Sequence, residues 1–327
     1  MKHKQNRVGL GTFPLAGVFN HISVKNAEKL VRQFIDEGGY YIDVAPMYGN
    51  GEIEKLLGRV LKSVPREKYY LGTKTVKHVD KYGKLFRSGK YKDVIEQMDN
   101  SLKRLKMDYV DLLMIHSPDT QVPIEETLRA LEKLQQVGKV RELAVSNVNL
   151  EELKKYNQTG KIKYVQNRFS LINRSISSEL KQYLIENKIY LVPWHLLEIG
   201  LLTGSAFEGF ELRKDDFRQG LPYWNKLNQQ EISLWVRNEL APIAKSLGVT
   251  IGQLCIAWGL HQPFIDFVVV GTTKPEYLDL NLKANNVMLT PDVVSEIDAA
   301  YVGFEAMIKV KYGQTMREFR GLNEKYY

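Results

Sequence analysis

Cysteine is almost missing from this 327-residue chain: Cys255 stands alone. No intrachain disulfide can form, and the composition fits a reducing compartment. No apolar run approaches the roughly 20 residues of a membrane-spanning helix. The basic start, MKHKQNRVGLG, is not followed by the roughly 7–15 apolar residues of a signal-peptide core. A cytoplasmic protein without a membrane partner is expected. Metal-ligand spacing is missing too. His116 and His195 fall in different strand-like runs, Cys255 lies inside the apolar QLCIAWGL, and no His/Cys pair has zinc-site separation. Nor is there a G-x-G-x-x-G turn. GLGTFPL carries Pro14 and no third glycine, and GNGEIE has Glu54 where that glycine would stand, so an open dinucleotide-binding sheet lacks its mark. A serine nucleophile at Ser117 lacks its elbow, because HSPD runs into Pro118. Ser117 and Asp119 read as turn chemistry around that proline.

Acidic excess is missing as well: 46 Lys and Arg face 38 Asp and Glu, a net charge of +8. The basic residues are mostly mixed with acids along helical segments such as KDVIEQMDNSLKRLK, the pattern of a solvated helix face. The densest basic stretch, KTVKHVDKYGKLFRSGKYK, reads as a loop and has neither a recognition-helix pattern nor a stacking-aromatic motif. A nucleic-acid partner is therefore not expected, and a field that attracts an anionic cofactor is.

What is present is a rhythm. Eight short apolar or β-branched runs recur: RVGLGTF, YYIDVA, KYYLGTK, YVDLLMIH, VRELAVSN, KYVQNRF, IYLVPWH and DFVVVGT. Each is strand-sized, and longer stretches with helical spacing lie between them, among them VKNAEKLVRQFIDEGG and IEETLRALEKLQQVGK. Gly38 and Gly138 mark helix C-termini. Alternation of about eight strands with about eight helices implies parallel strands and crossover helices. One (β/α)8 barrel over residues 1–327 absorbs the chain as a single domain. Two segments fall outside the rhythm. The polar stretch Gly204–Glu231 reads as a long loop after the seventh strand. The tail that begins at Val302 is expected to pack under the barrel or fold over its mouth.

Barrel chemistry sits where strands end. The polar residues closing the runs are Asp43, with Tyr48 beyond it, then Lys74, His116, Ser146 with Asn147, Gln166 with Asn167, Trp194 with His195, and finally Gly271, Thr272, Thr273 and Lys274. Asp43 and Lys74 could be an ion pair in the barrel neck, since a buried lysine demands a carboxylate. Adding Tyr48 supplies a role: a free phenol near pKa 10 is a poor acid at neutral pH, and a neighbouring ammonium is expected to lower it. His116 could hydrogen-bond a substrate oxygen. In GTTKPEYL, Pro275 suits a first helical position, with Thr273 or Lys274 as cap. Such a helix start binds phosphate, and Lys274 suits an additional phosphate group. Trp194 could stack on a flat ring.

In this set of motifs the chain resembles the aldo-keto reductases over almost its whole length. The carrying segments are GLGTF, YIDVAPMYGNGEIEKLLG, LGTK, YVDLLMIHSPD, VGKVRELAVSN, VQNRFSLINR, GLLTG and VVVGTTKPEYLDLNL. The resemblance implies a (β/α)8 barrel that binds NADPH across its rim and reduces carbonyls by hydride transfer, or runs the reverse as a dehydrogenase. It implies Tyr48 as general acid, Lys74 as tuner of its pKa, Asp43 as anchor of the lysine and His116 as the group orienting the carbonyl. It further implies cofactor contacts from Gly11, Thr12 and Asp43, and from Ser146, Asn147 and Gln166 at the carboxamide. Trp194 would stack on the nicotinamide, with His195 and Leu196 beside it. Gly200 and Leu201 fall beside the pyrophosphate, and Thr272, Thr273, Lys274 and Asn281 at the adenosine phosphate, with Gly271 and Tyr277 as further cofactor contacts. NADP(H) is favoured over NAD(H) through Lys274.

The departures are specific. His195-Leu196-Leu197 replaces serine-proline-leucine, Tyr277 and Leu280 replace polar residues near the adenine, and the N-terminal hairpin that closes the barrel floor is mostly missing. Phe19, Tyr82, Phe86, Tyr223 and Trp224 hint at an aromatic substrate pocket, or at loops packed on themselves. The substrate is expected to be an aldehyde, ketone or sugar-like carbonyl. The competing expectation is a cofactor-sensing subunit like the potassium-channel β-subunits of the same superfamily.

Overall fold

The computed structural model describes residues 5–79, 84–204 and 212–322. Ten strands occur among them: β1 Val8–Gly11, β2 Tyr41–Asp43, β3 Tyr70–Thr75, β4 Lys77–Val79, β5 Leu85–Arg87, β6 Val110–Ile115, β7 Val140–Ser146, β8 Ile162–Gln166, β9 Tyr190–Leu191 and β10 Val268–Val270. Eight of these form one parallel sheet in the order β10-β1-β2-β3-β6-β7-β8-β9. A parallel bridge between Leu191 and Ile265, just before β10, brings the two ends of that sheet together. The expected (β/α)8 architecture is found, with each of the eight sequence runs supplying one strand.

Helices cover the outside: α1 Val24–Asp36, α2 Glu52–Val60, α3 Tyr91–Leu105, α4 Ile124–Gln136, α5 Leu150–Tyr156, α6 Ser178–Glu186, α7 Lys226–Trp235, α8 Ala241–Ser246, α9 Ile251–His261, α10 Pro275–Lys283, α11 Pro291–Tyr312 and α12 Met316–Phe319. In α1 the side chain of Ser23 caps the Asn26 N–H, and Ala27, Leu30, Val31 and Phe34 form the buried stripe. Gly38 then takes φ 85°, the left-handed turn that ends the helix.

Three expectations need correction. The basic stretch is not simply a loop, because β4 and β5 pair antiparallel within it. Gly204–Glu231 is not irregular to its end. Short 3₁₀ turns at Phe217–Gly220 and Pro222–Trp224 lead into α7, which Asn225 caps by accepting from the Asn228 N–H. The tail begins inside α11, which runs to Tyr312 and so takes in the first part of the segment read as separate.

The strand period of two orders the barrel interior. A lower set, Tyr41, Leu112, Met114, Ala144, Tyr164, Val192 and Phe267, forms its own buried cluster with Tyr40, Tyr70, Tyr190 and Val269 against it. Phe267 lies 5.2 Å from the Tyr41 ring, 6.1 Å from Tyr70 and 6.2 Å from Tyr164. These aromatics stand near the starts of their strands and fill the lower barrel. Their hydroxyls are paired: Tyr70 donates to Glu142 at 2.5 Å and Tyr164 to Asp266 at 3.1 Å. Two residues beyond Gly9, Tyr41, Gly72, Met114, Ala144, Tyr164, Val192 and Val269 come Gly11, Asp43, Lys74, His116, Ser146, Gln166, Trp194 and Gly271. Each of the eight barrel strands thus delivers one residue to the rim.

Candidate active site

Asp43 and Lys74 occupy neighbouring strands and are 4% and 2% exposed. The Lys74 ammonium donates to both carboxylate oxygens, at 2.9 and 2.7 Å, to the Val44 carbonyl at 3.1 Å and to the Tyr48 oxygen at 3.2 Å. Asp43 also accepts from Gln166 Nε2 at 3.1 Å and from the Tyr41 hydroxyl at 3.3 Å. Tyr41 can stand beneath the aspartate because two strands carry glycine there. A Cβ on Gly9 would lie 2.8 Å from the Tyr41 ring, and one on Gly72 3.1 Å from its hydroxyl. Thr12 ties β1 to the same point, its N–H and hydroxyl both bonding the Asp43 carbonyl, at 3.1 and 2.8 Å.

Tyr48 returns over the lysine through a 3₁₀ turn in which Gly49, Asn50 and Gly51 all have positive φ. Burial raises the phenol's pKa more than Lys74 lowers it. The expectation of a lowered value is corrected: desolvation outweighs the cation, and Tyr48 is held as a neutral phenol. Its oxygen accepts from the ammonium, which leaves the O–H free to donate elsewhere. On Lys74 burial is the largest influence and favours loss of the proton, but Asp43 and Tyr48 together outweigh it and the pKa is raised.

His116 ends β6, its N–H bonded to the Thr75 carbonyl at 3.0 Å. The ring stands edge-on to Tyr48 with centroids 6.3 Å apart. Burial, then Lys74, Lys77 and Arg87, push its pKa well below the usual value, so the imidazole is neutral. Asn147, at φ 60°, donates to the His116 carbonyl at 2.9 Å and to Ser146 Oγ at 3.0 Å.

Beyond β9 the rim loop is strained: His195, Glu198 and Ile199 have φ of 57, 47 and 56°. It is held from behind. The Glu198 carboxylate, 0% exposed, accepts from Arg168 at 2.5 Å, Ser170 at 2.6 Å and Arg320 at 2.7 Å. Burial pushes its pKa up, but the two arginines and Ser170 bring it down to about 2. The His195 Nδ1 faces the Tyr223 hydroxyl at 3.3 Å. Burial and Arg168 are the main forces lowering its pKa to about 3. Trp194 packs edge-on against His195, with centroids 4.5 Å apart. Leu196 and Leu201 are core residues, 1% and 0% exposed, so their backbone is what the rim presents. Gly200 has φ 106°, open to glycine alone.

Beyond β10, Lys274 precedes α10 without a side-chain cap, and Pro275 opens the helix. The Lys274 N–H bonds Thr272 Oγ1 at 3.0 Å, and its ammonium lies 5.1 Å from the Tyr277 ring centroid. Thr273 is half-buried beside them, and Asn281 lies one turn beyond Tyr277 on α10. A Cβ on Gly271 would meet the Gly11 carbonyl at 2.8 Å, so these two glycines let the first and last strands' loops close together.

The structure therefore gathers Asp43, Tyr48, Lys74, His116 and Gln166 at one point, with Ser146 and Asn147 adjoining. His195 belongs to the buried cluster behind the loop. Sequence reasoning missed Tyr41, Phe13, Phe217, Arg168, Glu198 and Arg320. Phe13 lies 5.1 Å from Tyr48 and 5.3 Å from Phe217 by ring centroids, and 5.8 Å from Phe19. Of the two readings of Tyr223 and Trp224, pocket lining or packed loop, the second holds: they are 2% and 4% exposed. Tyr82 lies outside the described residues. Tyr41 carried one signal, its two-residue spacing from Asp43. The Arg168–Glu198–Arg320 cluster carried none, since Glu198 and Arg320 lie 122 residues apart.

The chain matches the model of the Aldo/keto reductase family over residues 7–302. An aldo-keto reductase of Bacillus subtilis is 34% identical over 84% of this chain and 83% of its own. The NADH-specific methylglyoxal reductase of Escherichia coli is 30% identical over 87% and 91%. A probable voltage-gated potassium channel β subunit of Oryza sativa is 30% identical over 86% and 88%. Among solved structures, a glycerol dehydrogenase of Gluconobacter oxydans superposes with a TM-score of 0.83 at 28% identity, covering 93% of this chain and 94% of that one.

Proposed function

Because this chain belongs to the aldo/keto reductase family, we propose that it transfers hydride between NADP(H) and an aldehyde, ketone or sugar-like carbonyl in the cytoplasm, with Tyr48 as general acid. One observation carries the proposal: the Tyr48 oxygen lies 3.2 Å from an ammonium that Asp43 locks in place.

The donors and acceptors left free on the rim fit a nicotinamide carboxamide. Gln166 spends its NH₂ on Asp43, which leaves its carbonyl oxygen to accept. Ser146 accepts from Asn147, which leaves its own O–H to donate. When bound, the cofactor supplies hydride, or takes it up in the reverse direction. Trp194, backed by His195, gives its ring a flat face, with the backbone of Leu196, Gly200 and Leu201 beside the pyrophosphate. Gly11 and Thr12 adjoin Asp43, and Thr272, Thr273, Lys274 and Asn281 would take the adenosine phosphate with Gly271 and Tyr277 beside them, where Lys274 favours a 2′-phosphate. Tyr48 donates its proton to the carbonyl oxygen in reduction, and Lys74 stabilises the phenolate that remains. His116, neutral, donates a hydrogen bond to the same oxygen and orients it.

The test is NADPH and NADH consumption against a panel of aldehydes, ketones and keto-sugars. Tyr48→Phe should lower kcat by roughly 10²–10⁴-fold, the range for a lost general acid. An unchanged kcat would sink the proposal. A second reading, a nucleotide-sensing subunit, draws on the similarity to the rice channel subunit. A stable complex with a copurifying partner, together with no turnover of any carbonyl, would favour it.

A further inference from the structure

We propose that Lys77 and Arg87 form a subsite for an anionic group, carboxylate or phosphate, carried by the carbonyl substrate; the proposal rests on the rim being a carbonyl-reducing site.

The placement follows from the barrel. Thr75, the last residue of β3, pairs with Ile115, and the next residue of that neighbouring strand is His116. The chain leaving β3 therefore passes beside His116. Val76, buried at 1% and at φ 74°, turns it into the β4–β5 hairpin. In that hairpin Lys77 stands directly opposite Arg87. Arg87 is fixed toward the site, its Nε donating at 2.9 Å to Oγ of Ser117, the neighbour of His116.

Like charges directly across a strand pair repel. Neither cation has a carboxylate in ion-pair range among the described residues, although most other ion pairs of the molecule are closed within 3 Å. Lys77 is also half-buried, and burial together with Arg87 lowers its pKa. The charges acting on His116 are Lys74, Lys77 and Arg87, all cationic. Asp93 and Glu96 act on His78, next to Lys77, and Asp119 accepts from the Gly89 N–H, yet none of these closes an ion pair with Lys77 or Arg87, and an anion on the substrate supplies that counter-charge.

The cofactor's phosphates are a poor candidate for that anion. In the ring of eight strands, β3 stands four places from β9 and three from β10, the strands that lead to the proposed phosphate-binding elements. The anion belongs to the other reactant, with its carbonyl at Tyr48 and His116.

Two substrate pairs test this: 4-oxobutanoate against butanal, and glyceraldehyde 3-phosphate against glyceraldehyde. The wild type should favour the anionic member of at least one pair by about tenfold in kcat/KM, chiefly through KM. The pair showing the preference tells carboxylate from phosphate. In Lys77→Met/Arg87→Met the ratio should fall toward one, and Lys77→Arg should restore it. Lys92→Met, which removes a cation from α3, should leave it alone. Calorimetric titration of succinate and of inorganic phosphate, which hold no reducible carbonyl, separates this proposal from the reductase itself. Binding of either that Lys77→Met/Arg87→Met abolishes supports the subsite even if no carbonyl is turned over. Turnover of neutral carbonyls with neither an anionic preference nor anion binding overturns it. So does an equal loss on both members of each pair.

Discussion

A lysine 2% exposed keeps its proton here because four oxygens surround it. Breaking such a pair from one side leaves a buried charge alone, so Lys74→Met should cost about 3–5 kcal/mol of stability besides activity. In urea titration, adding Asp43→Asn should recover part of that loss, since the two residues share one network. His195 makes a second prediction at this scale. Its folded pKa, about 3, lies below the ordinary 6.5, so the unfolded chain binds the proton more readily. Its stabilising contribution is complete above pH 6.5 and is lost as pH falls toward 3. His195→Asn, an exchange that tolerates the positive φ, should flatten stability between pH 6.5 and 4.5, as read from urea midpoints. Asp43, Lys74 and His116 were legible because polar side chains closing apolar runs violate the pattern around them, and Tyr48 because it follows Asp43 in the loop. Phe13 and Phe217 were not, because an apolar side chain beside a site looks like any other.

At the level of elements, the rim loop after β9 is braced by the far end of the chain. Arg320 follows α12, while Asn228 of α7 donates to the Phe319 carbonyl and Glu231 accepts from Lys311 and Tyr312. Arg320→Met should weaken cofactor binding, read by quenching of tryptophan fluorescence, more than it lowers kcat. Stability should fall by about 3–5 kcal/mol, as for other buried pairs broken from one side, and Arg320→Lys should recover part of the binding. The strands were legible as elements, each being a short β-branched run between longer helical stretches. The β4–β5 hairpin was hidden by its many lysines, which lower β-propensity without forbidding an exposed two-stranded ribbon. The start of α7 was hidden among the polar residues that cap it.

For the whole molecule, alternation gave parallel strands, and chain length with the missing G-x-G-x-x-G turn gave the closed barrel, yet nothing in the pattern told what fills the lower half. Packing does: large aromatics from several strands meet in the lower barrel. Phe267, at their centre, is 1% exposed, and Phe267→Ala should cost about 3–5 kcal/mol, seen as a lower midpoint in urea with an unchanged slope. Activity per folded molecule should survive better than stability, because the cluster's link to Asp43 runs through the Tyr41 hydroxyl. The brace on the rim loop has a consequence for synthesis. Glu198 is made 122 residues before Arg320, while the last barrel strand is complete at Val270. On the ribosome the barrel has every strand it needs before the rim loop has its second guanidinium. The newborn chain closes first and finishes its rim last, and a translation product stopped after α11 would be a barrel whose rim-loop Glu198 was held by Arg168 and Ser170 alone.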